Sequence, residues 1–476
     1  MQPNIDEVKK VFDNHGYFIN SIIIDILKKF KFRTILYKTG AQKKDGYSVS
    51  EILSILLMLP LMVLKSVHSL YKSKYNELSE MKKDTIYRLM NNEKMPWRRM
   101  LYSVCKRFQN LVNPNKEVAP NSAFIIDDTP DMRVGYKIEK ISRVHDHVTG
   151  KTGLGFKMLF FGLFDGQSFN PLDFSIHSEK KLELKKRKNQ FNKECIPNSN
   201  GYKRRKECLV KKTTNALLMI KRAIKNGFTA RYTLVDSWFG SKGFIKAVRE
   251  IKAGAMDIIC GIRRDKRKYD YEGDSFNAKQ LIKKLRKEKK QKRCRKWNVR
   301  YFEVTVNYDG IGNVKLYICR FPFQKKWRIF LSTDTELTFV KMMEIYSVRW
   351  SIEVFFKEAK QHLMLGKCQS RDFDAQIANT TIACILYIFL SYYRRVNDYE
   401  TIGVLFEVIK NEICEKNIAQ RLWQLFDELL QVIVSSITKL ATFNISRFRD
   451  SQEYLFVKSL FERSFLAYQI MGINKA

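Results

Sequence analysis

The sequence predicts an α/β fold, a mixed sheet with a β-rich insertion, flanked by N- and C-terminal helical regions. Three observations predict it. Ala123–Ile126 and Tyr232–Val235 are short, continuous apolar runs, the pattern of strands buried on both faces. Asp165-Gly166 and Asp309-Gly310 each sit between β-rich runs, where glycine supplies the positive φ of a hairpin turn. Both ends of the chain instead carry apolar residues at helical spacing among many lysines and arginines.

Taken in order, residues 1–115 read as helical. Val8, Val11 and Phe12, then Ile22, Ile23, Ile26 and Leu27, mark amphipathic turns, and Ser50–Leu64 and Leu78–Leu111 continue the pattern. A basic helical module here suits recognition of a DNA end, and a plain helical cap on the core is the alternative. Residues 116–255 open with Ala123–Asp127 and the hairpin 157–176. The basic stretch Lys180–Lys212 reads as loop or surface helix, a solvated face unless DNA passes over it. The helical pattern through Ala216, Leu217, Ile220, Ala223 and Ile224 stops at Asn226-Gly227, a good C-terminal cap. Residues 256–325 read as the β-rich insertion, with Phe302–Val306 and Val314–Cys319 as a second hairpin. Residues 326–395 bring a strand, Trp327–Leu331, and a helix expected to run from Tyr346 to His362. Residues 396–476 return to helical texture, and Leu422–Leu440 is a candidate dimerisation segment.

At 476 residues the chain is long enough for about three domains. Its 87 Lys and Arg against 49 Asp and Glu give a formal charge of +38, which points to a polyanionic partner, above all nucleic acid. Ile52–Leu64 and Ile382–Leu390 fall short of the ~20 residues a spanning helix needs, so no membrane is expected and both read as buried core helices. The first residues show no signal peptide. Nine widely spaced cysteines without a C-x-x-C pair argue against a disulfide framework or zinc knuckle and fit a reducing cytoplasm.

Two carboxylates close buried strands, Asp127 and Asp236, at the ends where open α/β sheets build their sites. Asp128 and Asp131 lie beside the first, and Asp128 remains an alternative to Asp127. Tyr346, Arg349, Glu353 and Lys360 are spaced by three, four and seven, which places them on one face of a continuous helix. Ile352 and Phe356, with Ile345 and Val348, are the expected core anchors of that helix, and Trp350 reads as packing. Val144-His145-Asp146-His147 puts two histidines on one face of a strand, a polar surface strand rather than a zinc site.

The segment Tyr346–Lys360 resembles the Y-x2-R-x3-E-x6-K signature of bacterial insertion-sequence transposases, typified by insertion sequence four. Ile126-Asp127-Asp128-Thr129, Leu234-Val235-Asp236, Ser332-Thr333-Asp334 and the long β insertion resemble that group as well, over roughly residues 120 to 395. The resemblance implies an RNase H-like catalytic domain with a D-D-E triad of Asp127, Asp236 and Glu353 holding Mg²⁺, or Mn²⁺ as a substitute. It further implies DNA-backbone contacts by Tyr346, Arg349 and Lys360, with Lys357 on the same basic helix. Some members place an insertion-domain tryptophan against a flipped base; Trp297 and Trp327 are the candidates, Trp327 with a core position as its alternative. The implied activity is DDE transposition: cleavage at transposon ends and strand transfer into target DNA, by a DNA-bound homodimer in the bacterial cytoplasm, associated with the nucleoid. A catalytically inactive DNA-binding relative, and a resolvase-like nuclease that cuts without joining, are the alternatives.

Overall fold

The computed structural model describes residues 21–73, 81–146, 149–179, 188–251, 256–322, 324, 326–411 and 413. Residues 20–412 form one compact unit. The other unit, 1–19 with 413–476, lies outside the described residues except for Ile413, and with it the expectations on Val8–Phe12 and Leu422–Leu440.

Before the sheet come α1 (Ser21–Lys29), α2 (Phe32–Thr39), α3 (Val49–Leu61), α4 (Val67–Tyr71), α5 (Lys83–Met90) and α6 (Trp97–Val112). Helix α3 starts where the sequence supplies a capping box. The Ser48 hydroxyl accepts from the Glu51 N–H, and the Glu51 carboxylate accepts from the Ser48 N–H at 2.7 Å. Pro60 is accommodated in the last turn of α3.

The strands β1 (Ala123–Met132), β2 (Ser142–His145), β3 (Thr152–Phe164) and β4 (Phe169–His177) follow, then α7 (Asn200–Glu207), α8 (Lys212–Lys225), β5 (Tyr232–Val235), α9 (Lys242–Ile251) and β6 (Asp257–Ile262). The β-rich stretch holds β7 (Lys268–Tyr271), β8 (Asp274–Asn277), α10 (Ala278–Lys287), β9 (Lys292–Cys294), β10 (Val299–Tyr308), β11 (Gly312–Arg320) and β12 (Arg328–Ser332). The chain then forms α11 (Phe339–Ser347), a 3-10 turn (Val348–Trp350), α12 (Ser351–His362) and α13 (Phe373–Val396), and residues 402–411 are helical.

The twelve strands among the described residues belong to one mixed sheet, ordered β2-β3-β1-β5-β6-β12-β11-β10-β7-β8, with β4 also on β3 and β9 on β10. Strand β3 is antiparallel to β1 and β4, whereas β1, β5 and β6 are mutually parallel. This is the mixed α/β sheet with flanking helices of an RNase H-like fold. The start of the β-rich stretch expected at 256 falls just ahead of β6, which pairs with β5 on one side and with β12 on the other. Both hairpins form as the Asp-Gly pairs require. Asp165–Ser168 joins β3 to β4, with the Asp165 carboxylate accepting from the N–H groups of Gln167 and Ser168, and Gly310 (φ 70°) turns β10 into β11.

Helix α13 is the central core element. Its 24 residues are long and apolar enough to cross a bilayer by length and composition, in contrast to the short run read from sequence, and 94% of its apolar window is buried inside the protein. Phe30 of the α1–α2 connection packs edge-on against Phe389 and Tyr392 at 4.7 and 5.4 Å, so the N-terminal helices share their core with α13.

The basic stretch before α8 departs from the solvated face expected of it. Arg204 and Arg205 are buried. Arg205 donates to Glu139, Asp372 and Asp374. Asp173, wholly buried on β4, accepts from Arg98 (2.9 Å) of α6 and Arg222 (2.9 Å) of α8, with Arg204 at 3.8 Å. These arginines hold its carboxyl well below the usual range against the opposing effect of burial. The network ties α6, α7 and α8 to β4.

Candidate active site

Parallel pairing of β1 with β5 aligns Ile126 with Val235, so the next residues, Asp127 and Asp236, emerge side by side at the carboxyl end of β5. Adjacent strands lie about 4.8 Å apart, which brings the two carboxylates within each other's field. The Asp127 carboxyl is raised to about 7, chiefly by burial, with Arg349 acting against the rise and Asp236 adding to it. The Asp236 carboxylate accepts from the Trp238 N–H at 2.9 Å, shaping the turn that leaves β5.

Successive residues of a strand face opposite sides, and this separates Asp127 from Asp128. Asp127 faces α12. Asp128 faces α8, where it forms an ion pair with Lys212. The Lys212 ammonium also stands 4.3 Å over the ring of Trp238.

The helix expected over 346–362 is broken. Helix α11 ends at Ser347, the 3-10 turn Val348–Trp350 tightens the backbone, and α12 starts at Ser351. Despite the break, the four signature residues converge on β1 and β5. The Tyr346 hydroxyl donates to the Val235 carbonyl at 3.2 Å. Arg349 donates from Nη1 to Asp127 Oδ2 at 2.9 Å and from Nη2 to Glu353 Oε1 at 2.5 Å. The Lys360 ammonium donates to Thr129 Oγ1 at 2.6 Å and to the Pro130 carbonyl at 3.0 Å. Lys357 is exposed. Ile352, Phe356 and Ile345 are buried as expected of anchors, Val348 is half-buried, and Phe160 of β3 meets Phe356 at 5.4 Å.

Trp350 overturns its reading as packing: 62% of it is exposed, on the turn immediately before α12. Trp238, which sequence reasoning passed over, is also exposed beside Asp236; its position two residues after a strand-end aspartate was the available signal. Trp327 is buried against Phe302 at 5.2 Å, its core alternative. Trp297 is half-buried, and its indole N–H is buried without a hydrogen-bond partner. His145 contacts Thr152 Oγ1 at 3.2 Å, and His147 lies outside the described residues. Ser332-Thr333-Asp334 stands at the opposite end of β5 and β6 from the carboxylates. There Thr333 Oγ1 donates to Asp257 and accepts from the Ile258 N–H, and the Tyr232 hydroxyl donates to Asp334, so these residues fasten strands together.

Residues 50–298, just over half of the 476-residue chain, match the family model described as DDE superfamily endonuclease. The chain belongs to the DDE endonuclease superfamily. Residues 209–389 also match the model of the transposase DDE domain. The first match spans Asp127 and Asp236, the second Asp236 and Glu353, so the two overlap on the strand that ends at Asp236. A search of curated proteins finds no match. Membership of the DDE superfamily makes this a nuclease-type enzyme with DNA as its substrate class, and such enzymes generally use divalent metal ions.

The donor chemistry fits such an ion: carboxylate oxygens suit a hard divalent cation, and the buried Asp127 carboxyl needs a positive neighbour to ionise fully. Among the described residues, no group of three or more His, Cys, Asp or Glu is gathered as a ready-made nest. The cation present between Asp127 and Glu353 is the Arg349 guanidinium.

Proposed function

We propose that this DDE endonuclease is a cut-and-paste transposase of the Y-R-E-K signature group, and that Asp127, Asp236 and Glu353 are its catalytic carboxylates. The observation that carries the reading is the meeting of three remote segments: Arg349 joins Asp127 to Glu353, while β-sheet register sets Asp236 beside Asp127. Asp127, Asp236 and Glu353 would hold Mg²⁺, with Mn²⁺ as substitute. When bound, two such ions supply an activated nucleophilic oxygen and stabilise the leaving oxygen of an in-line phosphoryl displacement.

The protein's own groups do the rest. Arg349 can clamp a backbone phosphate through its planar fork, and Lys360 can supply a point charge. Tyr346 can offer its hydroxyl to a phosphate oxygen once released from Val235. The exposed Lys357 extends this basic face, and the half-buried Trp297 of the insertion is the candidate for a displaced base. The basic N-terminal region, 1–115, would recognise the transposon end. The C-terminal region, 396–476, would carry a DNA-bound homodimer in the bacterial cytoplasm, at the nucleoid.

The test is incubation of the protein with Mg²⁺ and labelled transposon-end DNA, with Glu353→Gln in parallel. Cleavage followed by joining of the new 3′ hydroxyl to target DNA, lost in the variant with DNA binding retained, supports the proposal. Binding without cleavage, or cleavage without joining, overturns the transposase reading. Wild-type cleavage by Glu353→Gln overturns the assignment of the third carboxylate.

A further inference from the structure

Arg349 is in the wrong place for a residue whose only task is to hold DNA. Both arms of its fork are on carboxylates, at 2.9 Å on Asp127 and 2.5 Å on Glu353. All three side chains are largely shielded, with relative exposures of 15%, 17% and 28% for Arg349, Asp127 and Glu353. The third nitrogen, Nε, is buried without a partner, and the guanidinium lies 5.8 Å from the centre of the Tyr346 ring. A phosphate gripped in bidentate fashion by the same two nitrogens would be pressed against both carboxylates, and the charge of the fork would be shared among three anions. A divalent ion arriving at Asp127 and Glu353 meets a unit positive charge already seated between them. A phosphate arriving alone meets a fork already engaged and two carboxylates that repel it.

We infer that Arg349 is a resident counter-cation of the carboxylates, handed over to DNA phosphate when a divalent ion takes its place, so that ion and DNA bind cooperatively. The inference rests on the proposed assignment of Asp127 and Glu353 as metal-holding carboxylates. Each ligand frees what the other needs. The ion releases the fork, and the phosphate draws the fork off the carboxylates. Linkage makes the effect reciprocal: the factor by which DNA tightens the ion equals the factor by which the ion tightens DNA. The exchange also protects the unloaded site, because Arg349→Gln leaves Asp127 and Glu353 facing one another without a cation between them.

The experiment is calorimetric titration of the full chain with Mn²⁺, with and without a short nonspecific DNA duplex, for wild type, Arg349→Gln, Asp127→Asn and Glu353→Gln. Thermal melts serve as the check on folding. Wild type should bind Mn²⁺ about tenfold more tightly when DNA is present, within the usual span of allosteric coupling. Without DNA, Arg349→Gln should bind Mn²⁺ about tenfold more tightly than wild type and should lose most of the DNA dependence. A folded Arg349→Gln that binds Mn²⁺ no more tightly than wild type overturns the inference. So does a wild type whose Mn²⁺ affinity ignores DNA, a measurement that does not depend on any variant folding. If Asp127→Asn and Glu353→Gln leave Mn²⁺ affinity unchanged, the carboxylate assignment itself fails. If they weaken it while Arg349→Gln does not tighten it, the assignment stands and the exchange alone is refuted.

Discussion

Replacing Asp127 and Asp128 separately by asparagine should give opposite patterns of activity and stability, although the two residues are neighbours. Asp127 lies on the face of β1 that meets Arg349, beside Asp236; Asp128 lies on the other face, paired with Lys212. Asp127→Asn removes a charge placed to hold the catalytic ion. Loss of one group preorganised around developing charge costs about 3–4 kcal/mol, and a thousandfold in rate corresponds to about 4 kcal/mol. We expect at least about a thousandfold loss of DNA cleavage. Stability should hold, because burial already disfavours the Asp127 anion and Arg349 keeps Glu353. Asp128→Asn loses an ion pair whose partners are 17% and 20% exposed, worth about 0.5–1 kcal/mol after solvent screening. Lys212 keeps its place over Trp238, so cleavage should fall by less than about tenfold. The assay is Mg²⁺-dependent cleavage of labelled end-bearing duplex, run beside thermal melts. An inactive Asp128→Asn alongside a near-wild-type Asp127→Asn would refute the strand-face reasoning.

Three further outcomes follow from the structure. His177 is buried on β4 against Ser175 at 2.7 Å, and burial lowers its pKa to about 4 from an ordinary 6.5. Its neutral form is favoured in the folded state, so its contribution is intact above about pH 6.5 and is lost as pH falls towards 4, by up to about 3 kcal/mol. Denaturant melts across that window should show the slope, and a folded His177→Gln should flatten it; an unchanged slope would sink the assignment. Asp173→Asn removes one of the two carboxylates, with Glu207, that Arg98, Arg204 and Arg222 share, leaving three guanidiniums to one anion around a fully buried site, and should cost about 3–5 kcal/mol in chemical unfolding. A loss under 1 kcal/mol would show that the network is not what ties the helices to β4. DNA binding by a chain of net charge +38 should weaken by on the order of 10³-fold between about 50 and 200 mM salt, and a flat response in a filter or anisotropy assay would contradict an electrostatic grip.

What could be read from sequence was what local chemistry dictates. The apolar runs ending at Asp127 and Asp236, the two Asp-Gly hairpins and the Asn226-Gly227 stop all reside in short windows, and each forms. The gathering of Tyr346, Arg349, Glu353 and Lys360 was also foreseeable, although the assumed continuous helix is interrupted by Val348–Trp350. Periodicity counts residues and does not register a locally tightened turn. Long-range facts were not legible. Which of Asp127 and Asp128 meets Arg349 depends on how a helix more than two hundred residues later settles on β1. Arg204 and Arg205 look like solvated charge until Asp173, Glu139, Asp372 and Asp374 are brought around them by the fold. Helix α13 read as a short apolar run because Gln376, Thr380 and Thr381 interrupt its hydropathy, yet all three are buried, with Thr380 and Thr381 bonding back to carbonyls of their own helix.

The pairing of β6 with β12 has a consequence for how such a chain is assembled. Ile262 and Ile329 face one another as register partners, so the chain leaves the nuclease core after β6 and re-enters it at β12, one strand-spacing away. Closing a loop costs entropy that grows only slowly with its length, so a long excursion between two paired strands is tolerated. The excursion is nonetheless tied to the frame: β11 pairs along β12, the Tyr317 hydroxyl donates to the Leu337 carbonyl, and Tyr301 stacks on Phe339 of α11 at 3.9 Å. Segments beyond β10 and β11 can thus lengthen or shrink without a strand of the frame being re-threaded, whereas these two strands also seat α11, which carries Tyr346.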